Sequence, residues 1–494
     1  MWGLGSRFIL GRVLLAWGLL GMTPASLAQS PTPSDVDQLR AIIEKQNTVI
    51  DALHERVKAL ENRDTASAPP AAALPSTSSG GTEGSNASTA PPKTDGKVPL
   101  NASWNGKSGL TFESEDKKYQ VYVGGRLQYD FAWFDNSEDF DIIGAFYPQY
   151  GLNNEQDGSE LRRGRLHMGG KLGSRMSFRA EYDFAADSPG DDAGKVQDTY
   201  LSFDGIPRVG SIRVGHFKEP FSMEEVGTDN GTAFMELAAG RVFNPGRNVG
   251  IMASNSFLKG RMSYALGAFR ETDNWPSDND SDEDKGWQVT GRLTGTPWYA
   301  DKGRRMIHLG VGGTHRNPDG LIRYRGKPEA NLANNYVNTG NFRVDSVDAI
   351  GLEAAMVLGP WWAQAEYTHN QADAFEIGKV DFSGYYLQTG WIITGENRPY
   401  KTADGTFDVI VPKRPLAWGE SRGWGAWELA LRHSHVDLDD SIIRGGMMTD
   451  YTVGLHWYPT ANSRILLDYV VSDVEHDLYE GRVNILQTRF QLHF

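Results

Sequence analysis

From about residue 108 to the end of the chain, polar and apolar residues alternate in runs of about ten, separated by turn or loop residues. In the closing run, ILQTRFQLHF, one parity holds Leu486, Thr488, Phe490, Leu492 and Phe494. The other holds Gln487, Arg489, Gln491 and His493. Successive side chains of a β-strand point to opposite faces, so period two predicts strands with one apolar and one strongly polar face. About sixteen such runs occur, among them LRRGRLHMGGKLG, GSIRVGHF and GAWELALRHSHVDL. A ten-residue strand rises about 33 Å and, tilted by roughly 45°, covers about 24 Å of membrane normal. The expected fold is all-β: a 16-stranded antiparallel transmembrane β-barrel over residues 107–494, apolar side chains toward lipid and polar ones toward the lumen. The strand ending at Phe494 must close on the first, because hydrocarbon cannot hydrogen-bond a free sheet edge. Short links such as Gly173-Ser174 read as periplasmic turns, and long acidic ones such as ETDNWPSDNDSDEDKG as external loops. An even strand number brings the chain back to the side where it began.

The first hundred residues follow other periods. In 34–63, Val36, Ile43, Ile50 and Val57 recur every seven residues, with Leu39, Gln46, Leu53 and Leu60 three further on. These are a and d positions, and they predict a short coiled-coil helix capped by Ser34. Residues 64–106 are rich in Pro, Ser, Thr and Gly and predict a disordered linker. Residues 1–28 read as a secretory signal: Arg7 and Arg12, then the apolar stretch Val13 to Met22, then Ser26-Leu27-Ala28. The expected location is the outer membrane of a Gram-negative bacterium, with the coiled coil in the periplasm.

Composition narrows the function. Aromatic residues make up 11% of the chain, including 19 Tyr and 14 Trp, in keeping with strands and membrane interfaces. There is no cysteine, which excludes disulfides and thiolate metal sites. A formal charge of −14 argues against nucleic acid as a partner. No cofactor is implied and no nucleophile–base motif points to an enzyme. His433 and His435 share a strand face with Trp427, Leu429 and Leu431, so they are expected on the lipid side rather than at a metal.

Several blocks together resemble the phosphate-selective porins O and P: LRRGRLHMGGKLGSRMSFRAEYDFA, the stretch from DTYLSFDG to GTAFME, FNPGRNVGI, KPEANLANNYVNTG and LQTRFQLHF. The resemblance implies a porin barrel, a homotrimer, and arginines leading to a constriction where cations bind anions. It places Arg162 and Arg163 on the family's arginine pair, and Lys218 at the start of an inward-folded constriction loop, followed by Arg241 and Arg247. Strand parity independently turns Arg163, Arg165 and His167 to the lumen, since Leu166 and Met168 hold the other face. Arg247 could equally pair with Glu224 or Glu225. Family members often carry arginine after Met-Glu in this loop, whereas Met235-Glu236 is followed by Leu237. The expected function is passive diffusion of anions, such as phosphate, through a cationic lumen. The alternatives are a less selective porin for small acidic or neutral solutes, or a tether from the outer membrane to peptidoglycan through the coiled coil. Outer-membrane lipid, and insertion machinery reading Phe494, complete the expected partners.

Overall fold

The computed structural model describes residues 100–106, 109–137, 140, 157–185, 195–272, 286–318, 320–419 and 422–494. The expected signal peptide, coiled coil and most of the linker lie outside them, as does most of the acidic stretch 271–286.

Sixteen antiparallel strands form the barrel. They are β1 (Tyr119–Asn136), β2 (Gly158–Leu172), β3 (Met176–Asp183), β4 (Lys195–Ile206), β5 (Gly210–Lys218), β6 (Arg247–Phe257), β7 (Met262–Arg270) and β8 (Trp287–Ala300). There follow β9 (Arg305–Asn317), β10 (Phe342–Leu358), β11 (Trp361–Ala374), β12 (Gly378–Ile392), β13 (Ala426–Asp440), β14 (Ile443–Thr460), β15 (Ser463–His476) and β16 (Tyr479–His493). Each pairs with its sequence neighbour, and β16 returns to β1 in the register Val483↔Asn136 to His493↔Arg126. The last residue joins this seam: Gly125 N–H donates to the Phe494 carbonyl at 2.7 Å, and Phe494 N–H to the Gly125 carbonyl at 3.0 Å. A Cβ on Gly124 would stand 2.4 Å from the Phe494 carbonyl oxygen, so glycine there lets the two strands approach without crowding. Residues Leu100–Asn105, within the expected linker, pair with Gly109–Ser114 as a hairpin whose second strand extends the sheet along the start of β1.

Burial runs opposite to that of a water-soluble protein. Along β1, Leu127 is 48% exposed while its neighbour Gln128 is fully buried. Along β16, Phe490 and Leu492 face outward and Gln487, Arg489, Gln491 and His493 face in. The outer wall is therefore apolar and the lumen polar, as the alternation requires. His433 and His435 lie on the outward parity beside exposed Leu429 and Leu431, and His433 stacks on Tyr451. No cluster able to hold a metal occurs among the described residues.

Links after even-numbered strands lie at the mouth where β1 begins and β16 ends, the terminal mouth; the others lie at the distal mouth. The expected rule of short terminal turns and long distal loops fails at both mouths. The link 393–425, after β12, is long yet leaves from the terminal mouth. Its first half folds into the lumen, where Arg292 donates to the carbonyls of Asp404 (2.8 Å) and Gly405 (2.7 Å). Phe407 and Ile410 are buried in the same stretch. Conversely, the distal links 375–377 and 441–442 are short.

Candidate functional site

Two distal links also fold inward and meet over β2. The first, 219–246, contains a short helix, α1 (Met223–Val226), and a single turn at Ala239–Phe243. The barrel wall holds it by its backbone. The Glu366 carboxylate accepts the N–H groups of Met223 (3.0 Å) and Glu224 (2.7 Å) at the start of α1, where positive helix-end charge favours an acid. Asp468 accepts the Met235 N–H at 2.9 Å. Arg464 donates to the carbonyls of Thr232 (2.7 Å) and Asp229 (2.9 Å), and Arg432 to that of Glu236 at 2.9 Å. Phe221, Phe234 and Phe243 are buried against the wall. Gly312 admits this segment: a Cβ there would stand 2.2 Å from the Phe221 carbonyl oxygen.

The first segment carries carboxylates to the cations. Asp229 receives Arg126 and Arg165 at 2.8 Å and Lys218 at 2.9 Å, with Arg163 at 3.7 Å. Glu236 receives Arg162 and Arg489 at 2.8 Å and Arg241 at 3.4 Å. Arg165 also binds Asp183 at 2.5 Å, and Arg247 binds Asp198 at 2.7 Å rather than Glu224 or Glu225. Burial pushes the Asp229 carboxyl up, but Lys218, Arg165, Arg126 and Arg163 outweigh it and hold the group well below the usual carboxylate range. Burial likewise raises Glu236, and Arg162, Arg489 and Arg163 more than reverse the effect.

Arg162, Arg163, Arg165 and Lys218 are thus brought together at the foot of the first segment. Arg241 lies within that segment rather than after it, and Arg247 begins β6 directly opposite Lys218. Strict alternation would send Arg162 to the lipid side. Instead Gln128 pairs with Arg163 while the next residue, Tyr129, pairs with Leu161, so Arg162 is the extra residue of a β-bulge. Both arginines turn inward while Leu161 remains outside.

The second inward segment, 318–341, was not singled out for site residues by its sequence. It makes a small ribbon, Arg325–Gly326 against Val337–Asn338. Glu329 ties it to the wall, accepting hydroxyls from Ser434 and Thr452 at 2.6 Å each and facing Arg432 at 3.1 Å. Between the two segments lies a cavity of about 280 Å³ whose charged lining is Arg241, Arg323, Arg325 and Lys327 with the carboxylates Glu225, Glu236 and Glu329. Arg241 is 47% exposed at the side chain, the only half-open member of the Glu236 cluster. Arg325 has no carboxylate partner among the described residues, and Lys327 donates only to the Asn331 carbonyl at 2.7 Å. Burial lowers the Lys327 ammonium from its ordinary value and Arg162 and Arg241 lower it further, against the opposing pull of the Glu160 and Glu236 carboxylates. This cluster hides from sequence because its members come from two loops without periodicity. The one available signal is the spacing of Arg323, Arg325 and Lys327 on alternate positions.

A closed sixteen-stranded barrel with an apolar exterior and a polar lumen narrowed by inward links defines a porin, a channel rather than an enzyme. The family model for phosphate-selective porin O and P matches residues 121–494, and the chain belongs to that family of outer-membrane porins. An uncharacterised protein of Caulobacter vibrioides is 30% identical over 500 residues, covering 97% of this chain and 95% of the relative. Porin O of Pseudomonas aeruginosa is 24% identical over 400 residues, 74% of this chain and 85% of its own. Among solved structures, the anion-selective porin from Comamonas acidovorans aligns with a TM-score of 0.47 at 13% identity, over 76% of this chain and all of that one. OmpT of Vibrio cholerae aligns at 0.46 and 11% identity, over 76% and 98%.

Proposed function

We propose that the chain is a passive channel for small anions, with phosphate-like oxyanions as the preferred class. The observation carrying this is the cavity between the inward segments, where Arg241, Arg325 and Lys327 converge and their charge is incompletely answered by carboxylates. Guanidinium groups bind tetrahedral oxyanions through forked hydrogen bonds, and several weak sites in series allow release. From that cavity, Arg162 and Arg163 lead toward Lys218 and Arg165. The test is an Arg325→Ala/Lys327→Ala channel in a planar bilayer. Block of chloride current by phosphate should weaken, since a charge-assisted hydrogen bond contributes about 1.5–3 kcal/mol. Undiminished block would remove the cavity from the anion path.

A second reading is favoured by a specific feature. Arg162, Arg165, Lys218, Arg247 and Arg489 each have a carboxylate within 2.9 Å. A lining so compensated suits small acidic or neutral polar solutes more than it suits strict phosphate selection. Liposome swelling with neutral sugars at rates matching organic anions would support it. The same proposal includes a homotrimer, to be read by cross-linking, and recognition of Phe494 by the insertion machinery. If residues 34–63 tether the barrel to peptidoglycan, deleting 29–100 abolishes co-sedimentation with cell wall and leaves transport intact.

A further inference from the structure

Six of the chain's 14 tryptophans, Trp361, Trp391, Trp418, Trp424, Trp427 and Trp457, gather on the outer side at the terminal ends of β11–β14 and on the link 393–425, while Trp362 beside them is buried inward. Trp361 and Trp391 stack with ring centroids 5.1 Å apart, and Trp427 and Trp457 at 5.5 Å. They form a band on the wall where the membrane interface is expected. The second half of the link continues this band beyond the wall. Ala417 and Gly423 bridge its two arms, and the Leu416 N–H donates to the Pro459 carbonyl at the end of β14 at 2.7 Å. The Trp457 indole donates to the Trp424 carbonyl at 2.7 Å, fixing the returning arm against the band.

The resulting flap exposes what soluble surfaces avoid. Trp418 at its tip is 86% exposed and Trp424 71%, and exposed Ile393 and Val411 continue the apolar surface back to the wall. Lys413, Arg414 and Arg422 are exposed on the same arms, while the sequence there supplies one acid, Glu420. Lys413 also donates to the Gly395 carbonyl, which braces the base of the flap. Indole rings with an apolar body and one polar edge, interleaved with basic side chains, match the headgroup layer of a membrane. They match it best where the lipid is anionic.

We propose that residues 411–419 and 422–425 form a lipid-binding flap that docks on anionic phospholipid headgroups in the leaflet at the terminal mouth. The flap shares its link with the stretch that narrows the lumen, and docking would hold the base of that stretch to the membrane plane.

The chain has no cysteine, so a single Trp418→Cys substitution in the full-length protein can carry an environment-sensitive fluorophore. In bilayers of phosphatidylglycerol and phosphatidylcholine the label should emit as from a membrane interface and be shielded from aqueous iodide. Spin-labelled phosphatidylglycerol should quench it about twofold or more over spin-labelled phosphatidylcholine at equal mole fraction. Adding Lys413→Gln, Arg414→Gln and Arg422→Gln should erase that preference, with the heat-induced gel shift confirming a folded barrel. Full iodide access would overturn the proposal, placing the flap in water. Shielding from both lipid and iodide would overturn it in favour of a second copy of the chain. Equal quenching by the two lipids would overturn the anionic assignment.

Discussion

At the scale of single residues, Asp229 answers most of the cationic charge gathered at the foot of the first inward segment. One carboxylate answers Arg126, Arg165 and Lys218 at contact and Arg163 at 3.7 Å. Asp229→Asn should raise the anion-to-cation permeability ratio at low salt. It should also loosen the first inward segment, since breaking a buried ion pair costs about 3–5 kcal/mol. The selectivity change should shrink in 1 M salt, where the Debye length is about 3 Å. An unchanged reversal potential at low salt would show that these cations lie off the path. Glu219 gives a pH prediction. It is buried at the neck of the segment, accepting from Thr290 and, at 2.8 Å, from Asn248, with Arg316 and Glu271 also in its field. Burial pushes it up to about 7, against the lowering effect of these hydrogen bonds and of Arg316. A carboxyl raised in the folded state binds more protons folded than unfolded. Its contribution is fully present below about 4.5 and is lost as pH rises through about 7. Across that interval the loss approaches about 3 kcal/mol. Glu219→Gln should therefore flatten the fall in the barrel's heat-shift temperature between those pH values; an equally steep fall would place the titration elsewhere. Parity made Arg163 and Arg165 legible as lumen residues. Arg162 was legible only through family resemblance, because a bulge adds a residue that alternation cannot count. Their carboxylate partners were not legible, since Asp229 and Glu236 reach them from a loop whose path no periodicity records.

At the scale of elements, strands could be read and inward links mostly could not. A strand announces itself by period two because one face meets lipid along its whole length. A link inside the lumen meets polar wall on one side and water on the other, and its sequence carries no such period. The link 393–425, a Gly- and Pro-containing stretch, carries no such period although its first half packs within the barrel. What fixes the inward position of 219–246 lies partly on the opposing strand, as the absence of a side chain at Gly312. Gly312→Val should displace that segment while leaving the strand pairing of β9 intact. Single-channel conductance should rise and anion preference fall, with the heat-induced gel shift retained. Wild-type conductance in a folded Gly312→Val barrel would show that the segment does not set the pore width.

At the scale of the whole molecule, the alternating pattern sufficed to give a barrel with a lipid face and a lumen face. Its closure follows from a separate constraint, that every backbone group in hydrocarbon must find a partner within the protein. The charge of the pore was less legible than its shape. The formal charge of −14 conceals a lumen in which acids and bases are closely matched, with the cavity around Arg241, Arg325 and Lys327 tipped toward positive. Gly124→Ala should lower the temperature at which unboiled barrel converts to the boiled form on a denaturing gel, because it crowds the Phe494 carbonyl at the seam. An unshifted temperature would mean that the seam relaxes freely. The central claim, that the lumen passes anions, is tested most directly by the reversal potential of the wild-type channel in a KCl gradient at low ionic strength, before and after adding phosphate. The account predicts a potential of the sign set by chloride and a chloride current reduced by phosphate. A potential of the sign set by potassium, or a current indifferent to phosphate, would contradict it.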